Sequence, residues 1–367
     1  MIFRILVAGL AVFAMFFGTG NLVFPLMLGA ESLGGWPWAL AGFALADIAL
    51  TLAGMMVMLL FDGEVGRFFH YTGRAGQRVF PWLLLLLLGP LVVMPRAISV
   101  AHGALSSTGF VLPIGIFSLG FLSVVWLANR RPGHLIEVIG KYFTPVKIAL
   151  LTIVISACFL VARRLSFSPG GGLEAVMAFG HGFTGGYETM DLIGVVFFGA
   201  VIMRYFDDVE DSNRRLQAAF WATTIGMTLL MVCYLALFYL GTRYAGEVRG
   251  LPATEMLPRI TKIALGDLSE ELTAGTIIVA NITLTIALSS IFAEYCVSEV
   301  SALHGRYLQV LFATLTVDYG MSLLEFDRII HYSAMLLSFL YPFLIVLTFL
   351  NLWRALQERR RAKERVF

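Results

Sequence analysis

Residues 14–25 read AMFFGTGNLVFP, and residues 178–202 read AFGHGFTGGYETMDLIGVVFFGAVI. Each is an apolar run long enough to approach a membrane crossing, and each is interrupted in its interior by glycines and polar side chains. In hydrocarbon a backbone N–H or C=O freed from its helix costs several kcal/mol unless protein, water or a ligand satisfies it. An interruption therefore implies a lined cavity. Its free carbonyls suit a cation, and the N–H groups opening the following half-helix suit a carboxylate. The competing reading for Gly18 and Gly20 alone is close helix packing, which small residues commonly provide in membranes. That reading weakens once the second stretch repeats the pattern with Gly180, Gly182, Gly185 and Gly186, followed by Tyr187, Glu188, Thr189 and Asp191.

Working outward, ten apolar segments lie near residues 4–28, 36–61, 79–105, 110–128, 143–162, 175–202, 216–240, 272–297, 307–323 and 329–352. A helix rises about 1.5 Å per residue, so roughly 20 mainly apolar residues cross about 30 Å of hydrocarbon. The chain's 367 residues are 59% apolar and only 14% charged, with a mean hydropathy of +0.84, against roughly 25% charged in an average soluble domain. An all-α integral membrane protein of about ten transmembrane helices is expected. The N-terminal MIFRILVAGLAVFAMFFG lacks a small-residue cleavage site and reads as the first membrane helix.

The two interruptions fall in segments 1 and 6, five helices apart. An odd number of helices per repeat inverts the second copy, so broken helices 1 and 6 point to a five-plus-five inverted repeat with its site at the midplane. The first repeat is read as residues 1–162 and the second as 175–352, with a basic tail over 353–367. Lys and Arg concentrate in the pieces on the side of the termini, which places both termini in the cytoplasm. The longest gap, Gly241 to Glu271, contains LPATEMLPRITKIALG and reads as a short external helix capping the bundle.

Several other residues could carry chemistry. Segment 8 reads AGTIIVANITLTIALSSIFAEYCV, and its Thr285, Ser289 and Ser290 could supply hard oxygen ligands to an alkali cation. The ordinary alternative is that these hydroxyls bond their own helix. In segment 3, GPLVVMPRAISVAHG buries Arg96, which needs a partner; Asp191, Glu188 and Asp47 are the candidates, and an ion pair is preferred to ligand contact. Cys158, Cys233 and Cys296 are far apart and read as packing residues. No HExxH, GxSxG or paired-histidine spacing suggests an enzyme or a transition metal, and no basic stripe suggests nucleic acid.

FAMFFGTGNLVFP (13–25), GPLVVMPRAISV (89–100), GFTGGYETMDLIGVVFFGAVI (182–202) and SSIFAEY (289–295) resemble the bacterial branched-chain amino acid:cation symporter family. This family is similar to the wider amino acid, polyamine and organocation transporters, whose LeuT-like fold is the inverted repeat argued above. The resemblance implies a carrier that imports leucine, isoleucine or valine across the bacterial inner membrane, coupled to sodium or in some members to protons. No other cofactor is implied.

By resemblance, Gly18, Thr19, Gly20 and Asn21 form the unwound stretch that receives the substrate carboxylate, with Gly182, Phe183, Thr184, Gly185, Gly186 and Tyr187 as its counterpart. Ala14 and Phe17 carbonyls would join Ser289, Ser290 and Thr285 around sodium. From their own chemistry, Arg96, Glu188 and Asp191 read as gate or ion pair, with Glu188 a wet vestibule carboxylate and Asp191 a bundle-facing structural or gating residue in preference to a proton carrier. Relatives usually run to twelve helices where ten are read here. The rival readings are a carrier for methionine or another neutral amino acid, and a shortened, non-transporting substrate sensor. Surrounding lipid is the other expected partner, and the oligomeric state is left open.

Overall fold

The computed structural model describes residues 1–164, 172–266, 269–324 and 326–364, and within them every regular element is a helix. Segment 1 is α1 (Ile2–Phe16) and α2 (Thr19–Ser32), separated by Phe17 and Gly18, whose backbone is non-helical. Segment 2 is α3 (Trp36–Phe43) and α4 (Leu50–Leu60), joined through a π-helical turn over Ala44–Ala49. Segment 3 is α5 (Gly73–Leu86) and α6 (Val93–Ser106), joined through a second π turn over Leu87–Leu91 that carries Gly89 and Pro90.

Segment 4 is α7 (Ile114–Ala128) and segment 5 is α8 (Thr144–Ala162), entered through a third π turn over Ile139–Phe143. Segment 6 is α9 (Ala175–Glu188) and α10 (Asp191–Tyr205), bent by 48° at Thr189 and Met190. α11 (Ser212–Arg243) forms segment 7; the Asp211 carboxylate caps it by accepting from the N–H groups of Asn213 and Arg214. α12 (Ala253–Leu265) is the short helix foreseen in the long gap, and it rests on α2, α8 and α13. Segments 8, 9 and 10 are α13 (Ser269–Glu299), α14 (Tyr307–Ser322) and α15 (Phe326–Glu364).

All ten expected segments thus coincide with helices or helix pairs, but they are unequal as membrane crossings. By length and composition, six described helical runs reach a full span, and the bent pair α9–α10 makes a seventh. α1, α7 and α14 have 15, 15 and 16 residues, or about 22–24 Å at 1.5 Å per residue. α1 gains its remaining length from α2 beyond the break.

The packing has the symmetry of an exchanged repeat. Segment 1 lies along segment 7 through α1, α2 and α11, and segment 6 lies along segment 2 through α9 against α3 and α10 against α4. Swapping the first five segments for the last five carries one pairing into the other. Segment 3 against 8, and 4 against 9, map onto themselves. The broken helices are thereby buried at the centre, while α7, α8 and the outward faces of α11 and α14 carry exposed apolar side chains such as Ile116, Leu160, Trp221 and Phe312.

The glycines of residues 180–186 find their explanation here. A methyl on Gly182 would lie 1.9 Å from the Ala39 carbonyl oxygen, and one on Gly42 would lie 2.1 Å from that of Phe179. α3 and α9 therefore touch backbone to backbone, as small residues permit. Gly180 faces open space. Gly182→Val is expected to lower detergent stability by about 1–3 kcal/mol through overpacking, whereas Gly180→Ala leaves the thermal melting curve unchanged or slightly raised; equal losses from both would contradict this contact.

Candidate functional site

The two breaks meet. A methyl on Gly20 would lie 3.2 Å from the Cα of Thr189, so the opening turn of α2 faces the bend between α9 and α10 across van der Waals distance. Between them is a cavity of about 30 Å³. One wall is polar: the start of α2 at Gly18, Thr19, Gly20 and Asn21, then Thr189, Asp191 and Arg96. The rest of the lining is mainly apolar: Met15, Phe16, Leu88, Val93, Phe198, Leu284 and Leu288.

α2 presents its first-turn N–H groups at this cavity. They have no partner inside their own helix and lie at its positive end. Asn21 caps the turn, its Oδ1 accepting from Gly18 N at 3.1 Å, while Thr19 Oγ1 donates to Asn281 Oδ1 of α13. Asn21 Nδ2 donates to Asp191 Oδ2 at 2.8 Å and to the Tyr234 hydroxyl at 2.6 Å. All four residues assigned to the first unwound stretch border the cavity, but only Gly18 is unwound; Thr19, Gly20 and Asn21 are the first helical turn of α2.

The second stretch is corrected by the structure. Gly182, Phe183, Thr184, Gly185, Gly186 and Tyr187 were expected to be unwound, yet all six are helical residues of α9 and none lines the cavity. The break lies just beyond them, where Met190 adopts a left-handed conformation with φ 66° ahead of Asp191. Glycines at close helix contacts and glycines at a break have the same signature in sequence. Here the packing reading holds for Gly182 and Gly186.

Arg96 departs from expectation too. It forms no salt bridge among the described residues; Nη1 reaches the Glu188 carbonyl oxygen at 3.4 Å, the guanidinium lies 5.3 Å from the centre of the Phe24 ring, and the buried Nε has no partner. The residue is 9% exposed and opens onto the cavity. Glu188 is exposed at the end of α9 and contributes its backbone rather than its carboxylate to Arg96.

The expected cation site is held by a side chain that sequence reading passed over. The carbonyl oxygens of Phe17 and Ala14 accept from Nζ of Lys147, at 2.5 and 3.3 Å, and the ammonium lies 5.2 and 5.7 Å from the centres of the Phe17 and Phe13 rings. Lys147 projects from α8 and is fully buried. It neutralises the negative end of α1 and satisfies carbonyls that the break orphans.

The hydroxyls of α13 are engaged elsewhere. Thr285 donates to Asn281 O at 2.9 Å; Ser289 donates to Thr285 O at 2.7 Å and accepts from Asn129 Nδ2 at 2.9 Å. Ser290 lies 3.4 Å from Glu294 Oε1 and 3.3 Å from the Tyr307 hydroxyl. The ordinary reading of these residues describes their hydrogen bonds. A lysine inside segment 5 was the available signal, since an ionisable group at depth marks a partner or pathway.

Larger spaces flank the centre. One of about 590 Å³, on the face bearing the termini, is lined by residues such as Arg67, Arg204 and Glu294; another of about 850 Å³, on the opposite face, includes Ser99, Gly103, Glu255 and Arg259. Ion pairs stitch the terminus face: Arg4–Asp208 at 2.6 Å, Arg204–Glu294 at 2.9 Å, Arg215–Asp62 at 2.6 Å and Arg67–Glu358 at 3.1 Å. The Arg4 guanidinium holds the Asp208 carboxyl below its usual range by hydrogen bonding.

Two broken helices meeting at a small polar and apolar cavity, with a vestibule toward each face, define a multi-pass membrane transporter. The chain belongs to the branched-chain amino acid transport protein family, whose model matches residues 2–366. It is 31% identical to the branched-chain amino acid transport system 2 carrier protein of Pseudomonas aeruginosa, covering 96% of this chain and 81% of that protein. It is also 29% identical to the branched-chain amino acid permease BrnQ of Escherichia coli, with 95% and 81% covered, and 27% identical to that of Corynebacterium glutamicum, with 95% and 80% covered.

Among solved structures, a nucleobase-cation-symport-1 family transporter in a closed conformation, with bromovinylhydantoin bound, matches with a TM-score of 0.65 at 14% identity, over 93% of this chain and 77% of that one. A manganese transporter from Eremococcus coleocola matches with a TM-score of 0.52 at 11% identity, over 98% and 95%. These matches place the chain in the LeuT-like fold.

With Lys147 on the α1 carbonyls, the melting temperature in detergent is expected to be the same in sodium and potassium chloride. Lys147→Ala should cost about 1–3 kcal/mol of stability by stranding buried acceptors, and should gain a sodium-specific stabilisation. A sodium-specific rise in the unmodified protein would show that the cation competes with the lysine.

Proposed function

We propose that this chain imports leucine, isoleucine or valine across the bacterial inner membrane by alternating access, coupled to a cation, with both termini in the cytoplasm. The observation that carries this reading is the cavity between the breaks. It sets an unspent guanidinium and the positive end of α2 against an apolar wall, so a carboxylate and an aliphatic side chain are accommodated in one small space. The names of the relatives support branched-chain amino acids as the substrate class. An apolar pocket separates neighbours such as methionine by only about 1–3 kcal/mol, so competition decides the ranking.

Sodium was the first expectation for the coupling ion. Nζ of Lys147 on the α1 carbonyls favours the alternative, a proton, because a side chain already occupies the place a sodium ion would take.

The test is uptake of labelled leucine into sealed vesicles under an imposed sodium or proton gradient, with unlabelled isoleucine, valine and methionine as competitors. Accumulation driven by an inward proton gradient and competed by isoleucine and valine is expected; accumulation driven only by sodium overturns the proton reading, and none with any of the four amino acids overturns the substrate class. Arg96→Gln removes the charged donor and is expected to raise KM for leucine about 10–150-fold, equivalent to the roughly 1.5–3 kcal/mol of a charge-assisted hydrogen bond. An unchanged KM would return Arg96 to a structural role.

A further inference from the structure

Asp47 lies on the π turn between α3 and α4, and Asp191 is the first residue of α10; they are 1% and 6% exposed. The Thr189 hydroxyl lies between them, donating to Asp47 Oδ1 and accepting from Asp191 N at 3.5 Å, and Asn21 Nδ2 ties Asp191 Oδ2 to the Tyr234 hydroxyl. Asp47 Oδ1 accepts from Thr189 Oγ1 at 2.5 Å, and Asp191 Oδ2 accepts from Asn21 Nδ2. Asp47 Oδ2 is buried and has no donor. Neither carboxyl has an ion-pair partner among the described residues.

The groups facing the pair are Asn21 from segment 1, Thr189 from segment 6, Tyr234 from α11 and Tyr341 from α15, whose hydroxyl accepts from Leu192 N at 3.3 Å. Arg96 of segment 3 borders the same cavity but turns to the Glu188 carbonyl, and Lys147 lies beyond the break on the α1 carbonyls. The pair thus has hydroxyl and amide donors around it and no counter-cation.

Two adjacent carboxylates buried without a cation repel one another and lose their hydration, so such a pair holds a proton between its members. A proton on either carboxyl supplies the donor that the pair lacks. π turns recur at functional sites because the extra residue displaces a side chain from the regular helix.

We propose that Asp47 and Asp191 form the site that carries the coupling proton. This rests on the proposed carrier function. Asn21 connects it to substrate: it caps the turn of α2 that faces the substrate carboxylate and donates to Asp191. With the proton bound, one negative charge beside the carboxylate is removed, so proton and substrate each tighten the other by the same factor. The proton enters from one aqueous face and leaves to the other as the bend at Met190 changes.

Two measurements on the purified full chain test this. Leucine affinity is expected to weaken by about 5–150-fold as pH rises from about 6 to about 8, and to be flat in Asp47→Asn and Asp191→Asn. In infrared difference spectra between about pH 6 and about pH 8, a protonated-carboxyl C=O band is expected to change together with leucine affinity in the unmodified protein and in neither variant, which separates it from the buried, unpartnered Asp318. The same pH slope in Asp47→Asn, affinity that strengthens with pH, or a spectrum without that band overturns the proposal. Should the asparagine variants not fold, the band and slope of the unmodified protein still decide it. Should leucine not bind at any pH, the substrate reading falls while the infrared band separately decides the proton site.

Discussion

The structure depends on one constraint: a polar backbone group released from its helix within hydrocarbon has to be satisfied by something else. Three of the releases here have identifiable partners. The carbonyls at the end of α1 take the ammonium of Lys147, the Gly18 N–H takes the side chain of Asn21, and the Glu188 carbonyl takes Arg96. The side chains that make the broken helices tolerable are also those that build the site, so site and fold share residues. A substitution at Lys147 or Asn21 alters both.

The constraint also explains why the halves pack as they do. A break is protected from lipid only when surrounded by other helices, and the exchange of segment 1 against 7 for segment 6 against 2 encloses both breaks by one rule used twice. Close approach is needed on one side in particular, where α9 leans on α3 through Gly182 and Gly42. There the backbones meet without side chains between them, which brings the π turn bearing Asp47 up to Thr189 and Asp191.

Fold class was legible because apolar length and the position of interruptions are properties of local sequence. The first break was placed to within a few residues: it falls at Phe17 and Gly18, and Thr19, Gly20 and Asn21, read as unwound, open α2, with Asn21 capping it. The second was placed a few residues early, because helical packing glycines stand immediately before it and the turning residue is Met190, which carries no sequence signature for φ 66°. The lysine at the expected cation site was missed for a different reason. Carbonyls in a break advertise affinity for positive charge but do not say whether the charge is free or tethered, and Lys147 comes from a helix more than a hundred residues away. Asp47 was noticed only as a possible partner for Arg96; that it faces Asp191 is a long-range contact that no periodicity encodes.

The central cavity, at about 30 Å³, is far smaller than the 300–1,000 Å³ typical of small-molecule sites, whereas the vestibules measure about 590 and 850 Å³. An amino acid enters only if the walls move apart. On the terminus face the helices are joined by exposed and partly exposed ion pairs, which are individually weak. The central hydrogen bonds from Asn21 to Asp191 and from Thr189 to Asp47 are shielded from water and tie segments 1, 2 and 6 together at the bend. In the proposed alternating access, a weak periphery around a strongly connected centre would let the faces open while the breaks stay registered. Since a ligand shifts such an equilibrium only by its differential affinity for the two states, the groups able to drive the change are those whose contacts alter at the bend itself.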